Sequence, residues 1–262
     1  MSVEFNQLFE SVLRVYGSDA KEKLLTKKIL VIGLGGVGSW AFEALVRTGF
    51  HHFQLVDMDE ICVSNSNRQI HTLKGAYGKF KIDELKARAQ LINPHIKIEC
   101  VHNFYTEKTS DEILSYNPDF TLDCIDSVKS KCHLIASAKE RNLPIIVTGG
   151  AGGKKDPMQI KLADLNRTFN DDLLMQTRKK LKREFGFPPF EKRKFHIPAL
   201  FSPEEKITPD NLKNTKGINC QNGIGSLLSV TGSMGFMAAG YCSNFLLNGS
   251  ESLEQLGEDA AH

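Results

Sequence analysis

The run Ile29-Leu30-Val31-Ile32, followed directly by Gly33-Leu34-Gly35-Gly36-Val37-Gly38, leaves this chain few ways to fold. An unbroken apolar run suits a buried strand, and glycines at that spacing suit the turn from a strand into a helix. Gly33 permits the tight turn, Gly35 and Gly36 let a phosphate approach the backbone, and Gly38 lets the helix pack on the strand. The free amides at the start of such a helix favour an anion. A second apolar run, Phe53-Gln54-Leu55-Val56, ends at Asp57, where a carboxylate is placed to bond a ribose hydroxyl. The expectation is a nucleotide site at the tips of the first two strands.

A glycine fingerprint fits dinucleotide, flavin and ATP sites alike, so the residues after Asp57 decide. They are Asp57-Met58-Asp59-Glu60, Asn65-Ser66-Asn67-Arg68-Gln69 and Gly78-Lys79-Phe80-Lys81. A triphosphate carries more charge than a pyrophosphate bridge, and its cleavage must be stabilised electrostatically. Arg68 and Lys81 are suited to that task, Arg as a bidentate donor and Lys as a point charge. Asp59 either assists a metal or fixes the loop. Farther on, Asp123-Cys124-Ile125-Asp126 closes a strand with two acids. Asp126 reads as a ligand for Mg²⁺ bridging ATP phosphates, against the plainer reading that it caps the next helix.

Strand and helix patterns alternate along the first half. Strands are expected at 28–33, 52–57, 96–101, 119–124 and 145–148, and helices at 1–15, 37–48, 79–92, 110–116 and 128–141. Short connections between them argue for a Rossmann-like, doubly wound, mostly parallel sheet with helices on both faces. Residues 1–150 read as an ATP-binding core with an N-terminal docking helix. Residues 151–262 read as a basic insert and an apolar helix completing the same domain, with an added strand at 158–162 and a helix at 171–185. The glycine cluster 149–153 is either a turn beside the nucleotide or a break, and periodicity fades from 186 to 217.

The basic segment points to a polyanion. Arg178, Lys179, Lys180, Lys182, Arg183, Lys192, Arg193 and Lys194 oppose only Glu184 and Glu191, in a chain whose net charge is +2. Such a patch attracts a phosphate backbone, and the interleaved Phe185, Phe187, Phe190 and Phe195 are candidates to stack on unpaired bases. The competing reading is a solvated helix face with the Phe residues packed inward. The six cysteines include no Cys-x-x-Cys pair, so no zinc site is expected, and no secretory signal is visible, so cytoplasmic thiols are expected. Cys220 is a candidate acceptor of sulfur or an acyl group, although a small packed thiol is the commoner state. The other five read as packing. The stretch 224–247 carries no charge; its serines and glycines favour a buried helix, and attachment to a membrane stays open.

The joint pattern of Gly33-x-Gly35-Gly36-x-Gly38, Asp57-x-Asp59, Asn65-x-x-Arg68-Gln69, Lys81 and Asp123-x-x-Asp126 resembles the ubiquitin-activating-type adenylating enzymes. The resemblance implies ATP as substrate, with Asp57 on the ribose, Asn65, Arg68 and Lys81 on the phosphates, and Asp126 on Mg²⁺. It also implies a homodimer, because in that family the arginine reaches into the partner subunit's site. The stretches from Thr148 to Pro157, Asp164-Leu165, Thr177 to Arg183 and Phe201 to Glu204 are similar to the branch that dehydrates threonylcarbamoyladenosine in tRNA. That branch implies tRNA as partner and an acyl-adenylate closed by an atom of the same adduct. It leaves open a monovalent cation and a sulfur-transfer protein. The alternative is an adenylyltransferase acting on the C-terminal glycine of a sulfur carrier, and the missing Cys-x-x-Cys pairs count against it.

Overall fold

The alternation in β1 (Lys28–Ile32) sets the two faces of the molecule. Ile29 and Val31 enter one core, and Leu30 and Ile32 enter the other. All four are essentially inaccessible to water, as a strand covered on both sides requires. Each such side chain contributes about 1.5–3 kcal/mol by leaving water. The computed structural model describes residues 2–189, 193–207 and 224–249. Lys192 and Cys220, both singled out above, lie outside the described residues.

The described residues build one seven-stranded sheet in the order β3-β2-β1-β4-β5-β7-β6. Its strands are β1, β2 (His52–Val56), β3 (Lys97–Val101), β4 (Phe120–Asp123), β5 (Ile145–Thr148), β6 (Lys161–Asp164) and β7 (Pro198–Phe201). Every pairing is parallel except β6 with β7, which is antiparallel. The helices are α1 (Ser2–Tyr16), α2 (Ala20–Thr26), α3 (Gly38–Thr48), α4 (Lys81–Ile92), α5 (Ser110–Leu114), α6 (Val128–Glu140), α7 (Asp172–Glu184) and α8 (Leu228–Asn248). Residues of α3, α4 and α8 enter the first core, and residues of α6 and α7 enter the second. The sheet order runs outward in both directions from β1 and β4, so their carboxyl ends form the switch-point crevice where such sheets bind ligands.

The structure corrects three sequence expectations. A short helix, α2, precedes β1, and a strand, β7, lies in the stretch where periodicity fades. The strand expected at 158–162 begins at Lys161, after a one-turn 3₁₀ helix at Pro157–Gln159. The reason is local: Asp156 caps that turn by accepting from the Met158 amide at 2.9 Å.

The uncharged stretch 224–247 forms α8 from Leu228 onward, packed on α3. Gly235 allows the contact, because a Cβ there would lie 2.6 Å from the Val37 carbonyl oxygen. Gly235→Ala is therefore expected to cost about 1–3 kcal/mol through overpacking, read as a lowered urea midpoint. Among the described residues, no helix is long and apolar enough to cross a membrane.

Candidate active site

Four strand ends converge on one cavity of about 820 Å³. Gly33, Gly35 and Gly36 line it after β1, Asp57, Asp59 and Glu60 after β2, Cys124 to Ser127 after β4, and Thr148 to Gly152 after β5. Asn65, Arg68, Gln69 and Lys81 also line it. Of the residues expected at the nucleotide, only Gly38 stands outside the wall. Its role is steric: a Cβ at Gly38 would lie 1.9 Å from the Gly33 carbonyl oxygen, and Gly33 itself has φ of 86°. The cluster 149–153 is thus a turn beside the cavity, not a break.

Asp57 is the latch of the site. One carboxylate oxygen accepts from the Leu34 amide at 2.6 Å and the other from the Asp59 amide at 2.8 Å. Burial raises its pKa, while Lys81 and the two amides oppose the rise. The carboxylate therefore ties the glycine turn to the loop after β2, with lone pairs left over at the cavity. Lys81, at the first turn of α4, donates to Asp59 at 2.7 Å. Its side chain is 7% exposed and that of Asp59 52%, so Asp59 holds the cation from the solvent side. Arg68 donates to the Ser64 carbonyl at 2.8 Å and the Asn67 side chain at 2.9 Å, while its own carbonyl accepts from the Trp40 indole. It lines the cavity of its own chain.

Gln69 is held by a residue the sequence did not bring out. His71, buried, lies 3.0 Å from the Gln69 side-chain oxygen, and burial lowers its pKa to about 4, with Lys81 adding to the fall. The ring is neutral at physiological pH. The Gln69 oxygen can only accept, so Nε2 carries the proton and donates to it, and among the described residues Nδ1 has no partner.

Asp123 and Asp126 do not act as a pair. Asp123 is fully buried and forms an ion pair with Lys131 of α6 at 2.9 Å. Asp126 is exposed at the cavity wall, and no side-chain hydrogen bond engages it among the described residues. The N-cap position of α6 is Ser127, so Asp126 is not the helix cap. A free carboxylate on a cavity walled by the glycine turn fits Mg²⁺, which needs only one or two carboxylates beside substrate oxygens and water. Among the described residues, no cluster of three His, Cys, Asp or Glu side chains is built for a metal by the protein alone.

Two further readings are revised. Cys62, read as packing, is exposed at the cavity lip and accepts from the Ser64 hydroxyl at 3.2 Å, which lowers its pKa. Three aromatic residues of the basic segment, Phe185, Phe187 and Phe195, are not free for bases. Phe187 and Phe195 are buried with ring centroids 4.9 Å apart, and Phe185 packs against the same core. Phe190 lies outside the described residues. On α7, Arg178 donates to Thr168, and Lys180 and Arg183 both pair with Glu184. Lys182 is half-buried beside Phe195, whereas Lys179, Arg183, Arg193 and Lys194 are exposed. Phe104, Tyr105, Leu173, Ile224, Ser226 and Thr231 also line the cavity, and no motif announced them.

A doubly wound sheet with a glycine turn, strand-end acids and two cations on one switch-point cavity defines a nucleotide-binding α/β protein built for a highly charged ligand. The chain belongs to the ThiF family, which matches residues 9–255. It is 39% identical over 237 residues to the tRNA threonylcarbamoyladenosine dehydratase of Haemophilus influenzae, covering 89% of this chain and 91% of that protein. The crystal structure of the Escherichia coli tRNA N6-threonylcarbamoyladenosine dehydratase with ATP matches with a TM-score of 0.86 at 36% identity, covering 95% of this chain and 97% of that one. Similarity to the molybdopterin-synthase adenylyltransferase of Haemophilus influenzae is 32% over 135 residues, or 52% of this chain and 55% of that protein.

Proposed function

We propose that this chain is an ATP-dependent tRNA threonylcarbamoyladenosine dehydratase, which cyclises that nucleoside with release of AMP and pyrophosphate. The observation that carries the reading is coverage. Likeness to the dehydratases spans both halves of the chain, including the glycine cluster and the basic helix, whereas likeness to the carrier adenylyltransferase spans about half.

The chemistry follows from the cavity. The threonyl carboxylate attacks the α-phosphorus of ATP; an oxygen–phosphorus bond forms and pyrophosphate leaves. An atom of the same adduct then attacks the activated carbonyl, the ring closes and AMP leaves, so the nucleoside loses one water overall. Arg68 and Lys81 offset the charge that builds on the phosphates, and the glycine-turn amides bind them without reorganising. Asp57 fixes the ribose, and Gln69, oriented by His71, presents its amide to the turn. Asp126 would hold Mg²⁺, which supplies further charge stabilisation at the phosphates when bound. Ring closure within one adduct needs positioning more than a protein nucleophile.

The exposed cations Lys179, Arg183, Arg193 and Lys194 contact tRNA phosphates, without aromatic stacking by Phe187 or Phe195. The protein works as a homodimer: Phe236 (51% exposed), Met237 and Leu228 leave an apolar face on α8 for a second copy to cover.

The test is pyrophosphate release with purified tRNA carrying threonylcarbamoyladenosine, followed by mass spectrometry of the tRNA nucleosides. Release that depends on this tRNA, with loss of water from the nucleoside, is expected. Arg68→Ala and Asp126→Ala are expected to lower it by at least about 100-fold. Release driven equally by a carrier protein ending in Gly-Gly would favour the adenylyltransferase instead.

A further inference from the structure

One buried acid outside the nucleotide motifs joins the cavity wall to the basic helix. Asp171, 3% exposed, precedes α7. Its Oδ1 accepts from the Leu174 amide at 2.9 Å and caps the helix. Its Oδ2 accepts from the Gly150 amide, also at 2.9 Å, in the loop that walls the cavity after β5. The approach is close enough that a Cβ at Gly149 would lie 2.1 Å from Oδ2. Buried Lys154 closes the arrangement from the far end of the same loop, donating to the carbonyls of Asn170 and Glu204. The neighbouring Leu173, in the first turn of α7, itself lines the cavity. Burial raises the Asp171 pKa, and the two amides and Lys154 oppose the rise.

Helix capping does not explain this arrangement. A cap needs one oxygen, and Ser, Thr or Asn supplies it as well as Asp. The second oxygen is spent on a loop whose other role is to wall the site. The helix it ties to that loop carries Lys179 and Arg183, the exposed cations assigned to tRNA.

Resting on the dehydratase reading, we infer that Asp171 is a positioning residue for the tRNA half of the reaction. It fixes the Gly149–Gly152 loop in register with the first turn of α7. A nucleoside delivered along α7 then meets ATP at a set distance and angle. Alignment of this kind governs the rate of a step between two held reactants, and a displacement of about 1 Å costs up to about 100-fold. Binding of ATP alone, on the glycine turn and Lys81, does not depend on the loop.

Asp171→Ser separates cap from bridge, because Ser still caps α7 but is too short to hold Gly150. Expected are a folded variant with a modestly lowered melting temperature, from the lost Gly150 bond, an unchanged Kd for ATP, and a kcat on tRNA about 10- to 100-fold lower. Gly149→Ala reads the same bond from the loop side, since its added Cβ displaces Oδ2, and it serves if Asp171→Ser does not fold. It is expected to lower kcat in the same range; the Kd for ATP is read on Asp171→Ser, because Gly149 itself lines the cavity. Either folded variant turning over tRNA at the wild-type kcat would overturn the inference. So would a loss of ATP affinity in Asp171→Ser as large as its loss of kcat. A wild type inactive on this tRNA removes the dehydratase reading as well; an active wild type matched by Asp171→Ser removes only the present one.

Discussion

Lys81→Met is expected to lower kcat by about 100- to 1,000-fold while leaving the fold intact. The side chain is 7% exposed yet charged, and its partner Asp59 is 52% exposed. A cation held in a nearly dry wall by a half-wet acid is only partly neutralised. The ammonium has three donors, and Asp59 takes one at 2.7 Å. The others are available at the cavity, where His71, with its pKa lowered to about 4, and Asp57 both feel the charge. Met conserves the stem and its packing, and Asp59 regains water, so no buried charge is orphaned. Charge on the phosphates grows towards the transition state, so kcat falls more than ATP affinity does. Single-turnover rates and calorimetric ATP titrations separate the two. A variant with near-normal kcat would show that Lys81 serves only to fix Asp59.

The site was more legible than its surroundings, for physical reasons. The glycine turn, Asp57, Lys81 and Asp126 sit at or just beyond the ends of regular elements, where spacing maps directly onto position. The second wall comes from Leu173, Ile224, Ser226 and Thr231, far along the chain, and tertiary packing alone brings it to the cavity. β7 escaped detection because a four-residue strand opening on Pro198 lacks a readable alternation. Phe187 and Phe195 misled because neighbours in a basic sequence need not share its solvent exposure: Lys179, Arg183, Arg193 and Lys194 point out, and the rings fill the second core. The role of Asp123 was hidden in the same way. Its true partner, Lys131, lies a little over one helical turn into α6, and only the fold brings the ammonium back under β4.

That buried pair carries the second large effect. Asp123 and Lys131 are both fully inaccessible, 2.9 Å apart. Asp123 also accepts from the Ile125 amide at 3.0 Å, but among the described residues its Oδ2 has no hydrogen-bond partner. Lys131→Met removes the compensating charge and is expected to destabilise the chain by about 3–5 kcal/mol. Burial raises the Asp123 pKa in the intact protein, and Lys131 is the main influence opposing the rise. Without Lys131 the folded chain holds a proton on Asp123 at pH values where the unfolded chain, with an ordinary carboxylate pKa of about 3.9, has released it. Folding then takes up a proton, so stability falls as pH rises through this window and recovers as pH falls back towards the unfolded value. The deficit of Lys131→Met is accordingly largest at neutral pH and smaller in mild acid. Adding Asp123→Asn removes the orphaned charge and is expected to restore part of the loss with no such pH dependence. Urea melts of the wild type and both variants across that range test the assignment. A Lys131→Met chain as stable as the wild type at neutral pH would mean that the ion pair does not hold the β4 turn on which Asp126 stands.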